Sequence, residues 1–130
     1  MKFVINVLSS STAPSTRRAL RFSQAVLAAG HEIVRVFFYQ EGVLTASNNL
    51  VVAQDQQDIA QQWQAFIAEH ELDAVVCIAA ALRRGVLDQA EAQRFGREAV
   101  NLATGYQLSG LGQMHDGLQQ ADRLISFGGA

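Results

Sequence analysis

Short apolar runs alternate along this chain with longer stretches in which apolar residues return every three or four positions. Phe3 to Leu8 is apolar with few interruptions, as expected of a strand buried on both faces of a parallel sheet. The polar stretch from Ser9 to Ser15 reads as a loop that supplies a hydroxyl N-cap, and Ala19, Phe22, Ala25, Val26 and Ala29 then repeat at helical spacing up to Gly30. Ile33 to Tyr39 is rich in β-branched and aromatic residues and gives a second strand. Together these predict a βαβ unit with a right-handed crossover.

Gln40 to Asp55 has no steady period and is long for a connection inside a compact domain. From Gln56 the spacing of Ile59, Trp63, Phe66 and Ile67 predicts an amphipathic helix ending near His70, and Leu72 to Ile78 a third strand. Ala79 to Leu82 starts a turn or short helix. Asp88, with Glu91 three residues on, reads as a weak capping box for a segment reaching about Ala103. A strand at Tyr106 to Leu108, a glycine-rich turn from Ser109 to Gly112, a helix through His115 to Ala121 and a strand from Arg123 to Phe127 complete the series. Alternating β and α elements predict an α/β fold, a mostly parallel sheet with helices on both faces, built as one domain over residues 1–130.

Charged residues make up only 17% of the 130 positions against 49% hydrophobic, which leaves few charges for a soluble monomer's surface and points to coverage by partner chains. A formal net charge of −2 gives no basic patch for direct nucleic-acid contact. No stretch approaches membrane-span length, and the N-terminal apolar run is too short for a signal segment. A single cysteine excludes an internal disulfide, a two-thiol redox motif and a cysteine-rich zinc site within one chain, and fits a reducing cytoplasm.

That cysteine, Cys77, stands where the apolar run from Ala74 to Ala79 gives way to Leu82-Arg83-Arg84-Gly85. A thiol at a strand end, followed by guanidinium groups and the start of a helix, lies where the thiolate is favoured. Two readings stand side by side here: a nucleophile, or a small buried hydrophobe of the kind free cysteine often is. Arg83 and Arg84 divide the same way. One of them can turn back over the sulfur, or both are solvated and pair with Asp88 or Glu91. A histidine base would be needed for protease-like chemistry. His31 begins a strand at its amino end and reads as structural, His70 closes a helix, and only His115 stands where it could approach the strand ends. The turn Ser109-Gly110-Leu111-Gly112 lacks the lysine of a phosphate loop and reads as tight-turn geometry. The histidines are too scattered for a metal site.

The run Cys77-Ile78-Ala79-Ala80-Ala81-Leu82-Arg83-Arg84-Gly85-Val86 resembles the DsrE/TusD family of sulfur-relay proteins, nearest to its TusD-type subunits. Gly30-His31-Glu32, Val36-Phe37-Phe38-Tyr39 with Glu41-Gly42-Val43, and Leu108-Ser109-Gly110-Leu111-Gly112 followed by Ala121-Asp122-Arg123 stand in the family's order and spacing. The stretch Ser9 to Arg18 departs from it. The resemblance implies a DsrE-like three-layer α/β fold and a sulfurtransferase that carries sulfane sulfur as a persulfide on Cys77; the position of Arg83 and Arg84 after the thiol makes them its expected support. It also implies a heterohexamer with TusB- and TusC-like subunits, a TusA-like donor and a TusE-like acceptor, and no metal or organic cofactor. The implied product is 2-thiouridine at the tRNA wobble position, with dissimilatory sulfur oxidation as the alternative. A non-catalytic assembly subunit and a small-molecule-binding module remain open beside these.

Overall fold

Five strands, β1 (Lys2–Val7), β2 (Glu32–Phe38), β3 (Ala74–Cys77), β4 (Tyr106–Ser109) and β5 (Arg123–Phe127), form one sheet in the order β4-β3-β2-β1-β5 in a computed structural model that describes residues 1–129. Every neighbouring pair is parallel. Parallel neighbours need crossover connections, and helices supply them. These are α1 (Pro14–Ala28), α2 (Ile59–Glu69), the short α3 (Ile78–Arg83) and α4 (Gln89–Arg94), and α5 (Gly112–Gln120). The α/β fold expected from the alternating pattern is the one formed.

Successive strand residues point to opposite faces, and β1 shows which helix takes which face. Phe3 meets Phe22 of α1 edge to face, with ring centroids 5.9 Å apart, while Val4 lies beneath Gly117 of α5. Helices α1 and α2 therefore cover one face and α5 the other. Trp63 of α2 is fully buried, packs edge-on against Phe38 and Phe66, and donates its indole N–H to the Thr16 carbonyl at 3.1 Å. One side chain thus joins α2 to both the sheet and α1. On the other face, Arg35 of β2 is bound by Asp73 at 2.6 Å and by Asp116 of α5 at 3.2 Å. Burial works against its charge, but the hydrogen bonds to both carboxylates outweigh that cost and hold the guanidinium pKa above its ordinary value.

Three sequence expectations change in detail. No hydroxyl caps α1: Ala13 is the N-cap without a side-chain bond, and Pro14 occupies the first turn, where a missing N–H costs nothing. Thr16 instead donates to the Ser9 carbonyl at 2.7 Å and closes the preceding loop. The stretch after β2 is not wholly irregular either, because Gln40–Ala46 forms a 3₁₀ segment with Gly42, Val43, Thr45 and Ala46 buried. Lastly, Asp88 caps α4 through Glu91 as expected, but the helix stops at Arg94 rather than near Ala103. Gly96 turns to φ 64° there, and Arg97 N–H bonds back to the Ala92 carbonyl. The following backbone has better partners elsewhere. The Asn101 side chain accepts from Leu87 N–H and donates to the Gly85 carbonyl, and Ala103 N–H reaches Ala46.

Candidate functional site

Because all five strands run the same way, their carboxyl ends share one edge of the sheet, the edge where parallel α/β folds hold ligands. Cys77 is the last residue of β3 and pairs in register with Ser109, the last of β4. Its strand is fully buried, as a central strand covered on both faces should be. Straight after the cysteine the backbone enters α3, and the change of direction opens a recess beside the sulfur. This cavity, about 300 Å³, is lined by Tyr39 and Gln40 after β2, Cys77 to Ala80, Arg83 and Arg84 of the α3 turn, and Gly110 and Leu111 after β4. The carboxyl ends of three adjacent strands thus build one pocket.

Cys77 itself is only 3% exposed. It is at once a core residue packed with the sheet's apolar cluster and a wall of the pocket, so the two readings of this thiol are not alternatives: burial keeps bulk water away while the recess gives a narrow approach.

The two arginines separate clearly. Arg84 donates from Nε to Glu41 Oε1 at 2.7 Å and from Nη1 to the Ala80 carbonyl at 3.1 Å. Glu41 sits in the 3₁₀ segment, so the pair ties that segment to the turn after β3. Neither arginine pairs with Asp88 or Glu91, because Asp88 is spent on the α4 cap and Glu91 lies 3.9 Å from Arg94. Arg83 is exposed and makes no hydrogen bond or ion pair among the described residues.

No histidine lines the recess. His31 is at the amino edge, 2.8 Å from the N-terminal amine, and His70 caps the end of α2, as their sequence positions predict. His115 lies on the exposed side of α5 against Gln119, away from the thiol. An open groove of about 910 Å³ at that amino edge includes both His31 and His70. It is wider than the Cys77 recess, yet it lies where parallel strands present only their starts, and no thiol lines it. The Ser109–Gly112 turn simply carries the chain from β4 into α5, with Gln113 N–H bonded to the Gly110 carbonyl. Among the described residues no cluster of His, Cys, Asp or Glu could hold a metal ion, and no helix is long and apolar enough to cross a membrane.

Glu41 as the partner of Arg84, and Tyr39, Gln40 and Leu111 as pocket walls, were not assignable from the sequence. The one visible signal was the resemblance at Glu41-Gly42-Val43, which marked the segment without saying what it touches.

A thiol beside an unpaired cation in a narrow recess lined by no histidine suits exchange at sulfur better than hydrolysis. The comparisons with known proteins agree in kind. Residues 1–127 match the DsrE/DsrF-like family. The chain belongs to that family. It is 57% identical over 129 residues to a sulfurtransferase TusD homolog of Pseudomonas aeruginosa, covering 99% of this chain and 98% of the relative. A putative sulfurtransferase DsrE of Allochromatium vinosum is 46% identical over 110 residues, 85% of each chain. The sulfurtransferase TusD of Yersinia pestis is 45% identical over 109 residues, 84% of this chain and 83% of that one. In fold, the chain is similar to the crystal structure of the ychN protein from E. coli, with a TM-score of 0.71, 15% identity and coverage of 98% of this chain and all of the other.

Proposed function

We propose that this chain is a sulfurtransferase subunit of a sulfur relay and that Cys77 carries the sulfur. The observation that carries this reading is the position of the chain's only thiol at the carboxyl end of a central strand, walling a recess that contains an unpaired arginine. The 57% identity to a TusD homolog supports it over nearly the whole length. In the first step the Cys77 sulfur attacks the outer sulfur of a donor persulfide. The new S–S bond forms as the donor's own S–S bond breaks, the donor leaves as thiolate, and Cys77 now holds a persulfide. In the second step an acceptor thiolate attacks that outer sulfur and Cys77 departs as thiolate. Each step conserves the oxidation level, so neither an oxidant nor a cofactor is consumed. With one cysteine in the chain both partners in exchange are other molecules.

The finer reading assigns a TusA-like donor, a TusE-like acceptor and TusB- and TusC-like companion subunits, acting in the cytoplasm toward wobble 2-thiouridine. The identity to Allochromatium DsrE favours a second reading in dissimilatory sulfur oxidation. It is the weaker match, and loss of wobble 2-thiouridine on deleting the gene separates the two. Incubation with a persulfidated donor followed by intact mass measurement tests the carrier itself: the wild type should gain one sulfur and Cys77→Ser none. A gain that persists in Cys77→Ser would remove Cys77 from the reaction. Mixing with the two companion subunits should give a larger assembly by mass in solution, and a chain that remains monomeric while transferring sulfur at full rate would show assembly to be unnecessary.

A further inference from the structure

Two arginines line the Cys77 recess, but their surroundings differ in a way that divides their roles. Arg84 is half-buried, its charge held 2.7 Å from the Glu41 carboxylate and its remaining reach taken by the Ala80 carbonyl. To an incoming anion, Arg84 and Glu41 together present a nearly neutral pair. Arg83 is exposed and lacks any such partner among the described residues. It also lines a second groove, about 840 Å³, formed with Leu82, Leu87, Phe95 and Arg97. Arg83 therefore stands at the junction between an apolar surface groove and the thiol recess.

We propose that Glu41 is a positioning residue that neutralises Arg84 and pins it as a structural latch, leaving Arg83 as the cation that selects negatively charged sulfur donors at Cys77. The assignment rests on the sulfur-transfer reading for its biological meaning, though its test does not depend on sulfur transfer. A unit charge bordering the same recess as the reacting sulfur, in surroundings between water and protein interior, favours an anionic reagent over a neutral one by about three- to tenfold. A cation whose charge is already compensated by a carboxylate gives much less.

The probes are iodoacetate and iodoacetamide, which alkylate the same thiol and differ in charge. Since Cys77 is the only cysteine, intact mass reports its reaction alone, and the ratio of the two rates reports the field at the sulfur independently of general accessibility. Arg83→Gln should lower the anionic-to-neutral ratio about three- to tenfold, and Arg83→Lys should largely preserve it. Removing the pair together, Arg84→Gln/Glu41→Gln, conserves net charge and should leave the ratio within about twofold while changing both rates together, as expected of a loosened wall, whereas Arg84→Gln alone strands the Glu41 carboxylate and lowers the ratio. Glu41→Gln should raise the ratio by releasing Arg84, and the double variant Glu41→Gln/Arg83→Gln should recover part of what Arg83→Gln loses. That recovery is the decisive readout, because a purely structural role for Glu41 predicts a further loss. An effect of the joint Arg84→Gln/Glu41→Gln change on the ratio as large as that of Arg83→Gln would overturn the division, as would the absence of recovery in Glu41→Gln/Arg83→Gln. A thiol inert to both reagents in every variant would overturn it too, since no approaching charge could then be selected. If the ratios follow this pattern while the wild type takes no sulfur from a persulfide donor, the carrier reading fails and the charge division stands.

Discussion

Gly42 is the point at which the pocket wall presses most closely on the sheet, and replacing it with alanine should damage stability and site together. A Cβ at this position would fall on the carbonyl of Val7, the last residue of β1, and would crowd the Leu8 nitrogen at 3.3 Å. Backbone cannot move aside as a flexible side chain can, so the 3₁₀ segment must lift. The Val7 carbonyl also accepts the Tyr39 N–H at 3.0 Å, and Gly42 N–H donates to the Tyr39 carbonyl at 2.8 Å. Lifting the segment therefore strains the hydrogen bonds that join β1, β2 and the pocket wall. Overpacking of this kind costs about 1–3 kcal/mol, and one weakened buried hydrogen bond adds about 1 kcal/mol. A domain of this length has an unfolding entropy of roughly 0.27 kcal/mol/K, so a loss of about 2–4 kcal/mol lowers Tm by about 7–15 °C. Calorimetry measures that shift. Because the segment carries Tyr39, Gln40 and Glu41 against the recess, the alkylation rate of Cys77 should change in the same variant under conditions where it remains folded. Gly110→Ala is the matched control: this glycine lines the same recess, but a Cβ there meets nothing within 4 Å. Its Tm should stay within a few degrees of wild type. A Gly42→Ala protein that melts with the wild type and reacts at the same rate would refute the close approach as the device that sets the wall.

Tyr106 is buried with its hydroxyl unpartnered, and burial pushes its phenol pKa up; the neutral form is the one the fold accepts. That contribution is fully present below the unfolded value of about 10 and is lost as pH rises above it, because only the unfolded chain then releases the proton. Tyr106→Phe should accordingly flatten the alkaline fall in stability and equal or exceed the wild type in urea at neutral pH, with an unchanged alkaline slope as the contrary result. Arg35→Gln should cost about 1–3 kcal/mol by urea unfolding, since it strips Asp73 and Asp116 of their shared donor. Arg35 does not line the Cys77 recess, so the charge selectivity of Cys77 alkylation should not change, and a shifted selectivity would mean that Arg35 is coupled to the recess through its bond to the Gln113 carbonyl at the start of α5.

The alternation of apolar runs with helical spacing was enough to predict the parallel α/β fold and the last strand from Arg123 to Phe127, because strand and helix periods are written by short-range geometry. It also placed Cys77 at a strand end, His31 at the opposite edge and His70 at a helix terminus, since in a parallel sheet the direction of each strand follows from its neighbours. The resemblance carried the fold further, to its family. What tertiary structure alone decided was partnership. Arg84 had acidic neighbours in sequence at Asp88 and Glu91, yet it pairs with Glu41, 43 residues away. The strand order sets β2 beside β3 and brings the turns that follow them together. The early end of α4 and the buried 3₁₀ segment have the same origin. Gly96 ends α4 by its positive φ, but the partners that hold the chain beyond it, Asn101 with Gly85 and Leu87 and Ala103 with Ala46, belong to a surface that exists only once the sheet has formed. Local sterics wrote the elements, and long-range contact determined which charges remained free to act at the thiol.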